Sequence, residues 1–450
     1  MHRQMDTILK RLRQDLARHF DPESILAACR SVGHSWRNTT LNPVAILHWF
    51  VTQILHGNTS LEHVSLLGGR LFSGSAYCQA RARLPLMVVR EVLRNLVGSL
   101  VEETRSEGLW RGHRTLLIDG STFSMPDTPE LQKRFGQPGA QTPGCGFPVA
   151  KFLAVFHAGT GLLTDVAEAP LRTHEMSQLR HVHPGLKSGD VLVGDRGFCS
   201  YAHLAILVRS GVFAVFRIHQ RQIVDFALNR PHARASDKRA RKGLPRSRWV
   251  GSLGGLDQVV EWFKPDARPE WMSAEEYAGL PESLMVRELR YEIGGRGSRT
   301  RTVTLATTLL DGELYPADAL AKLYQVRWRV ELNFRHLKTT MKMDVLKCTT
   351  VDGVLKELLI YAIVYNLVRV VMVEAAHRQE VEVERIRFVD ALRWLAQAGV
   401  NAVPAKLVVN PARPGRWEPR VQKRRPKQYN LMNRPRSELR NRLMNQGVKA

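Results

Sequence analysis

"DVLVGDRGFCSYAHLAILVRSGVFAVFRI", residues 190 to 218, decides the fold class. An apolar run ends in Asp195, a helix-length apolar pattern fills 200 to 210, and a second apolar run covers 211 to 218. That rhythm is strand, helix, strand. Upstream, "TLLID" (115 to 119), "AKFLAVFHA" (150 to 158) and "LLTDVAEA" (162 to 169) read as three more strands, and "HEMSQLRHV" (174 to 182) as a helix. The order of the seven implies an α/β fold, a mixed sheet flanked by helices.

The regions on either side have a different texture. Residues 1 to 112 read as a helical N-terminal region, because "NPVAILHWFVTQIL" and "PLMVVREVLRNLVGSLVEET" repeat apolar residues at helical spacing. Between them "SGSAYCQARARL" sets Arg81 and Arg83 beside small residues, a solvated helix face or a set of phosphate contacts. The core's first part spans 113 to 218. From 219 to 312 a basic run, "RPHARASDKRARKGLPRSRW", leads into "VRELRYEIGGRGSRTRTVTLATTLL", which predicts a β-rich insertion with a glycine turn. The core resumes over 313 to 375, where "PADALAKLYQVRWRVELNFRHLK" predicts one helix running unbroken from near Pro316 to at least Lys338. Residues 376 to 450 form a C-terminal helical segment and a basic tail. "LLIYAIVYNLVRVVMV" (358 to 373) is interrupted by Asn366 and Arg369 and is too short for a membrane span, so it reads as a buried core helix.

Sixty-six Lys and Arg against 42 Asp and Glu give a net charge of +24 and a pI near 10.3. Such a balance calls for a polyanionic partner, nucleic acid first. The last 50 residues hold 13 Lys and Arg against Glu418 and Glu438, so 13 − 2 = +11 of that charge lies there, and the prolines around "QKRRPKQ" suggest an extended basic arm. The charged start "MHRQMDTILKRLRQDLARHF" does not read as a secretory signal, which points to the cytoplasm. Five scattered cysteines without a Cys-x-x-Cys pair suggest neither a disulfide framework nor a zinc site. His181 and His183 read as a polar loop rather than a metal site.

The chemistry concentrates in "YQVRWRVELNFRHLK", 324 to 338. At about 100° per residue, Tyr324, Arg327, Glu331 and Lys338 share one helical stripe that Arg335 extends. A carboxylate among phosphate-binding cations is either an ion pair with Arg327 or Arg335, or a metal ligand. Asp119 and Asp195 favour the ligand, since each ends an apolar run and strand ends can bring two carboxylates to one from a nearby helix. Like charges so arranged need a hard cation such as Mg²⁺.

Tyr324, two residues, Arg327, three residues, Glu331, six residues, Lys338 resembles the Tyr-Arg-Glu-Lys signature of the insertion-sequence-4 family of DDE transposases. "LLIDGSTFSMPDT" resembles that family's first-Asp motif and "VGDRGF" its second, with separations of 195 − 119 = 76 and 331 − 195 = 136 residues. The resemblance covers roughly residues 40 to 375. It implies a ribonuclease-H-like core with an insertion, metal ligation by Asp119, Asp195 and Glu331, and DNA contacts by Tyr324, Arg327 and Lys338, to which the helical stripe adds Arg335. It further implies two Mg²⁺ ions (Mn²⁺ able to substitute), double-stranded DNA as partner at both transposon ends and target, a DNA-bound homodimer, and a place on a bacterial nucleoid. Cleavage and strand transfer at inverted-repeat ends is the activity it implies. A domesticated DNA-binding protein and a structure-specific nuclease of the same fold are the alternatives. Where some relatives carry a base-stacking tryptophan, "VTLATT" places Val303; Trp249, Trp262, Trp271 and Trp328 are the substitutes available, and the route of excision stays open.

Overall fold

A computed structural model describes residues 20–229, 243–293, 302–397, 406–411 and 432–445. The expected amphipathic start, the basic run at 230–242, the glycine turn near 294–301 and most of the tail lie outside the described residues. The N-terminal region is helical as expected: α1 (Pro22–Ser31), α2 (Pro43–Leu55), α3 (Leu61–Leu67), α4 (Gly74–Arg83) and α5 (Leu86–Glu103). The first four begin at a polar residue, Asp21, Asn42, Ser60 and Ser73, whose side chain accepts from an amide of the first turn and satisfies a donor the helix leaves open. Arg81 turns inward, donating to Gln53 Oε1 at 2.9 Å and lying over the Phe50 ring at 3.6 Å, whereas Arg83 is exposed.

The expected strands form as β1 (Thr115–Ser124), β2 (Val149–His157), β3 (Leu163–Pro170), β4 (Val191–Gly194) and β5 (Phe213–Arg217). Between them lie α6 (Pro129–Phe135), α7 (Leu179–Val182) and α8 (Tyr201–Arg209); the helix expected over 174–182 begins as a 3-10 turn, Glu175–Gln178, before α7. Four later strands, β6 (Arg246–Gly254), β7 (Asp257–Phe263), β8 (Ser283–Glu292) and β9 (Thr302–Thr307), with the short α9 (Ala274–Ala278), extend the same sheet. Its order is β3-β2-β1-β4-β5-β9-β8-β7-β6. β1 is antiparallel to β2 and parallel to β4, and β4 is parallel to β5, so the sheet is mixed as expected. β9 joins the two parts through three residue pairs, Val215↔Thr307, Phe216↔Ala306 and Arg217↔Leu305.

Alternation along the strands divides the core between the two faces of the sheet. Leu117, Phe123, Val191, Val193 and Val215 face the helices of the N- and C-terminal regions. Leu116, Ile118, Leu192, Ala214 and Phe216 face α7 and α8. On the first face run α10 (Ala317–Val326), α11 (Arg329–Arg335), α12 (Val351–Arg378) and α13 (Phe388–Gln397). By composition α12 is long and apolar enough to cross a membrane, yet 89% of its apolar window is buried in the protein. Its polar residues are spent on tertiary bonds. Lys356 donates to the carbonyls of Arg81 and Ala82, Glu357 accepts from Asn58 and from the Lys347 and Cys348 amides, and Asn366 bonds both the amide and the carbonyl of Leu163. Arg369 reaches Thr160 O at 2.8 Å and Glu384 at 2.6 Å.

The basic arm expected over 401–450 is not extended throughout. Residues Arg436–Asn445 form α14, because "SELRNRLMN" carries no proline after Pro435, and Arg436 docks on Asp127 at 3.1 Å and over the Phe147 ring at 3.9 Å.

Candidate active site

Ile118 of β1 makes the last parallel pair with Gly194 of β4, so Asp195, just past β4, lies beside Asp119, which is not the end of its strand as expected but its fifth residue, β1 running on to Ser124 in its pairing with β2. Only glycine fits at 194, since a Cβ there would come within 2.9 Å of Ile118 and 3.1 Å of Phe216. Alternation puts Asp119 and Ser121 on the face that carries α10 and α11. Asp119 Oδ1 accepts from the Gly120 amide at 2.8 Å, and the carboxylate is about three-quarters withdrawn from solvent.

The signature segment departs from the expected single helix. α10 ends at Val326, Arg327 and Trp328 form a tight turn with i→i−3 bonds (Arg327 N to Tyr324 O, 3.0 Å), α11 follows, and His336–Thr340 widens into a π-helix. No Gly or Pro marks the break. It lets two large polar side chains, Tyr324 and Arg327, turn into the sheet edge, both less than 7% exposed, while Glu331 and Arg335 stay at the surface. The one-stripe reading is therefore corrected: an even 100° advance does not cross a 3-10 step and a π-turn. Neither Arg327 nor Arg335 forms an ion pair with Glu331 among the described residues.

What the break assembles is a polar cluster where the parallel pairing of β1 and β4 ends. Tyr324 donates its hydroxyl to Asp195 Oδ1 at 3.3 Å, Arg327 Nη1 lies 3.5 Å from Asp119 Oδ2, and Lys338 Nζ donates to Ser121 Oγ at 3.1 Å. The Arg327 guanidinium also lies over the Trp328 ring at 4.9 Å. Burial pushes the Asp119 carboxyl up to about 6; Arg327 and the Gly120 amide pull it back, and the Glu331 and Asp195 charges push it up again. Burial works against the Arg327 charge, but Tyr324, Asp195, Asp119 and Glu331 outweigh it and hold the guanidinium protonated more firmly than usual. Five of the seven residues singled out from sequence thus act on one another, Lys338 reaches the same strand through Ser121, and Arg335 stands apart. As the side chains lie, no three His, Cys, Asp or Glu among the described residues are grouped closely enough to hold a metal ion.

Two neighbours escaped the sequence reading. Arg217, the last residue of β5, and Tyr291 of β8 both act electrostatically on Tyr324, whose phenol burial pushes well up, with Arg327 pulling it back. The Tyr291 hydroxyl is buried without a hydrogen-bond partner and sits opposite Val303. Arg217 had a readable signal, a lone cation ending an apolar strand; Tyr291 had none. Val303 is 1% exposed, and Trp262 is buried with its indole bonded to Glu288 at 2.9 Å, whereas Trp249, Trp271 and Trp328 are half-buried. His183 stacks on His203, Nε2 to Nε2 3.2 Å, away from this edge.

The family model of the transposase DDE domain matches residues 110–367. Transposase InsG for insertion sequence element IS4 of Escherichia coli (strain K12) is 25% identical over 443 residues, which cover 92% of each chain. Putative transposase InsZ of the same strain is 27% identical over 145 residues, 32% of this chain and 48% of its own. Among solved structures, a piggyBac transposase synaptic complex with hairpin DNA aligns with 84% of this chain and 77% of that one at 10% identity and a TM-score of 0.40, a likeness on which nothing below depends. With the family model spanning more than half of the sequence and both Asp119 and Asp195, the chain belongs to the DDE transposases, as a DNA transposase of the insertion-sequence-4 type.

Proposed function

We propose that the protein binds the inverted-repeat ends of an insertion sequence and carries out metal-dependent cleavage and strand transfer there, with Asp119, Asp195 and Glu331 as the metal ligands. The observation that supports this most is the juxtaposition of Asp119 and Asp195 where the parallel pairing of β1 and β4 ends, their charges, with that of Glu331, acting on one another across Arg327. DDE transposases work with a divalent cation, and this donor set, all carboxylate oxygen, fits a hard one; we assign two Mg²⁺, with Mn²⁺ as a substitute. When bound, such ions stabilise the attacking and leaving oxygens of a phosphodiester.

The chain's own residues do the rest. Asp119 and Asp195 are fixed by adjacent strands, and Glu331, on the exposed side of α11, closes the set from solvent. Arg327 neutralises the carboxylates before substrate arrives and then holds a phosphate oxygen. Lys338 binds a neighbouring phosphate beside Ser121, Tyr324 orients Asp195, and Arg335 meets DNA backbone from the exposed face. Water attacks first and the freed 3′-hydroxyl second, so no covalent protein–DNA intermediate is formed.

Residues 113–218 and 313–375 make a ribonuclease-H-like core in this reading, 219–312 a β-rich insertion, 1–112 a DNA-binding or accessory region, and 376–450 a helical segment with a basic tail. Two copies pair the two ends on double-stranded DNA, in the cytoplasm at the nucleoid. The test is end cleavage by purified protein: Glu331→Gln should slow it by about 100-fold or more, beyond what outer-shell changes around a metal cost. An unchanged rate removes Glu331 from the ligand set.

A further inference from the structure

Behind the catalytic edge, on the opposite face of the sheet, lies a cavity of about 550 Å³ lined by Lys151, His174, Glu175, Arg196, His219 and Arg221. Its walls come from the strands that carry the carboxylates and their neighbours in the sheet, and from Gly243 and Leu244. Arg196 follows Asp195; Lys151 pairs across β2 with Thr122, three residues beyond Asp119; and His219 and Arg221 follow Arg217 at the end of β5. The Glu175 carboxylate rests against Gly120, where a Cβ would meet it at 2.8 Å. Alternation turns Asp119 to one face and Gly120 to the other, so the cavity and the carboxylates open from the same strand ends in opposite directions.

Its cations outnumber its one carboxylate, Glu175. Lys151 donates to the Thr173 carbonyl at 3.2 Å and Arg196 to the Gln220 amide oxygen, both neutral acceptors. None of Lys151, Arg196 and Arg221 forms an ion pair among the described residues, Glu175 included. Burial lowers the basicity of His219, and the Arg221 and Arg196 charges lower it further. Three permanent cations against one carboxylate, in a crevice near the C-terminal ends of β4 and β5 and beside the point where the sheet turns antiparallel, suit an anion.

We infer that this cavity is a second phosphate-binding site, taking the DNA backbone next to the scissile phosphodiester as the strand passes over the sheet edge. The inference rests on the proposed function for the location of the scissile bond. Lys151, Arg196 and Arg221 hold the phosphate, and Glu175, on the Gly120 wall, keeps it from sliding back towards Asp119. A strand gripped on both faces of the sheet cannot rotate about its own axis, which fixes the scissile bond over the carboxylates.

The test is equilibrium binding without divalent metal, in EDTA, over a salt series. The variants are Lys151→Gln, Arg221→Gln and the pair, each checked for an unchanged thermal melt. Three duplexes serve as probes: an inverted-repeat end with its flanking DNA, the same end stopping at the cleavage position, and an unrelated sequence. Each cation removed should lower the slope of log affinity against log salt by about 0.7–0.9 on the intact end. A defect confined to the intact end assigns the cavity to the flanking backbone, and a defect on both end duplexes assigns it to the element side; either supports the site. Unchanged slopes for the folded double variant overturn it, and so does an equal loss on the unrelated duplex, the mark of a diffuse basic surface. Because no cleavage is read, this failure is separate from that of the metal-ligand assignment, which Glu331→Gln decides.

Discussion

Asp119 is held between opposing influences, burial and two carboxylates raising its proton affinity and Arg327 lowering it. With its pKa pushed up to about 6, the carboxyl is protonated below that pH and ionised above it, so the cation binding proposed for it should weaken as pH falls through about 6. Arg327→Gln removes the largest influence favouring the ionised form. The acid limb of the pH–cleavage profile should then move upward, with a lower plateau as the phosphate contact is lost; a limb that stays in place while the plateau falls would show that Arg327 acts on DNA alone. The two aspartates stood out because an acid that ends an apolar run is conspicuous, although β1 runs on past Asp119 to Ser124 and only Asp195 follows the end of its strand. Arg327's part was not, since its distance to Asp119 depends on a turn that no residue in "QVRWRV" announces.

At the scale of elements, polar residues within apolar helices locate the fastenings of the fold. Asn366 and Arg369 identified α12 as a buried helix from sequence, but their partners were illegible: Leu163, which Asn366 bonds, lies 203 residues earlier. Asn366→Ala would strand a buried amide and a buried carbonyl of β3, at about 1–3 kcal/mol each. Chemical denaturation should show a loss of roughly 2–6 kcal/mol with the m-value unchanged; a loss below about 0.5 kcal/mol would mean that β3 is held by its ladder alone. The first five strands were readable from short apolar runs, whereas the placement of β9 beside β5 was not, because local pattern carries no information about which distant edge a strand will meet.

For the whole molecule the dominant quantity is charge. Residues 412–450 carry 12 Lys and Arg against Glu418 and Glu438, so 12 − 2 = +10 of the +24 is distal to the last contact of the 406–411 segment with the core. Leu407 is buried there and Val409 pairs with Ile386, so truncation should begin after Pro411 to spare the fold. Truncated protein should bind any duplex more weakly and with a markedly flatter salt dependence, while its melting temperature stays within a few degrees. An unchanged slope would assign the DNA affinity to the body of the protein instead. Composition alone revealed this charge, but not that α14 folds back onto Asp127 and Phe147.

The three-pair seam between β5 and β9 also sets a schedule. During synthesis β5 emerges 85 residues before Thr302 (302 − 217), roughly 4 to 17 s at about 5–20 residues per second, and through that interval its outer edge has no partner. A nascent chain is therefore open to capture by the same edge of a neighbouring copy on the polysome, and the yield of soluble protein should depend on how quickly the ribosome delivers residues 302–307.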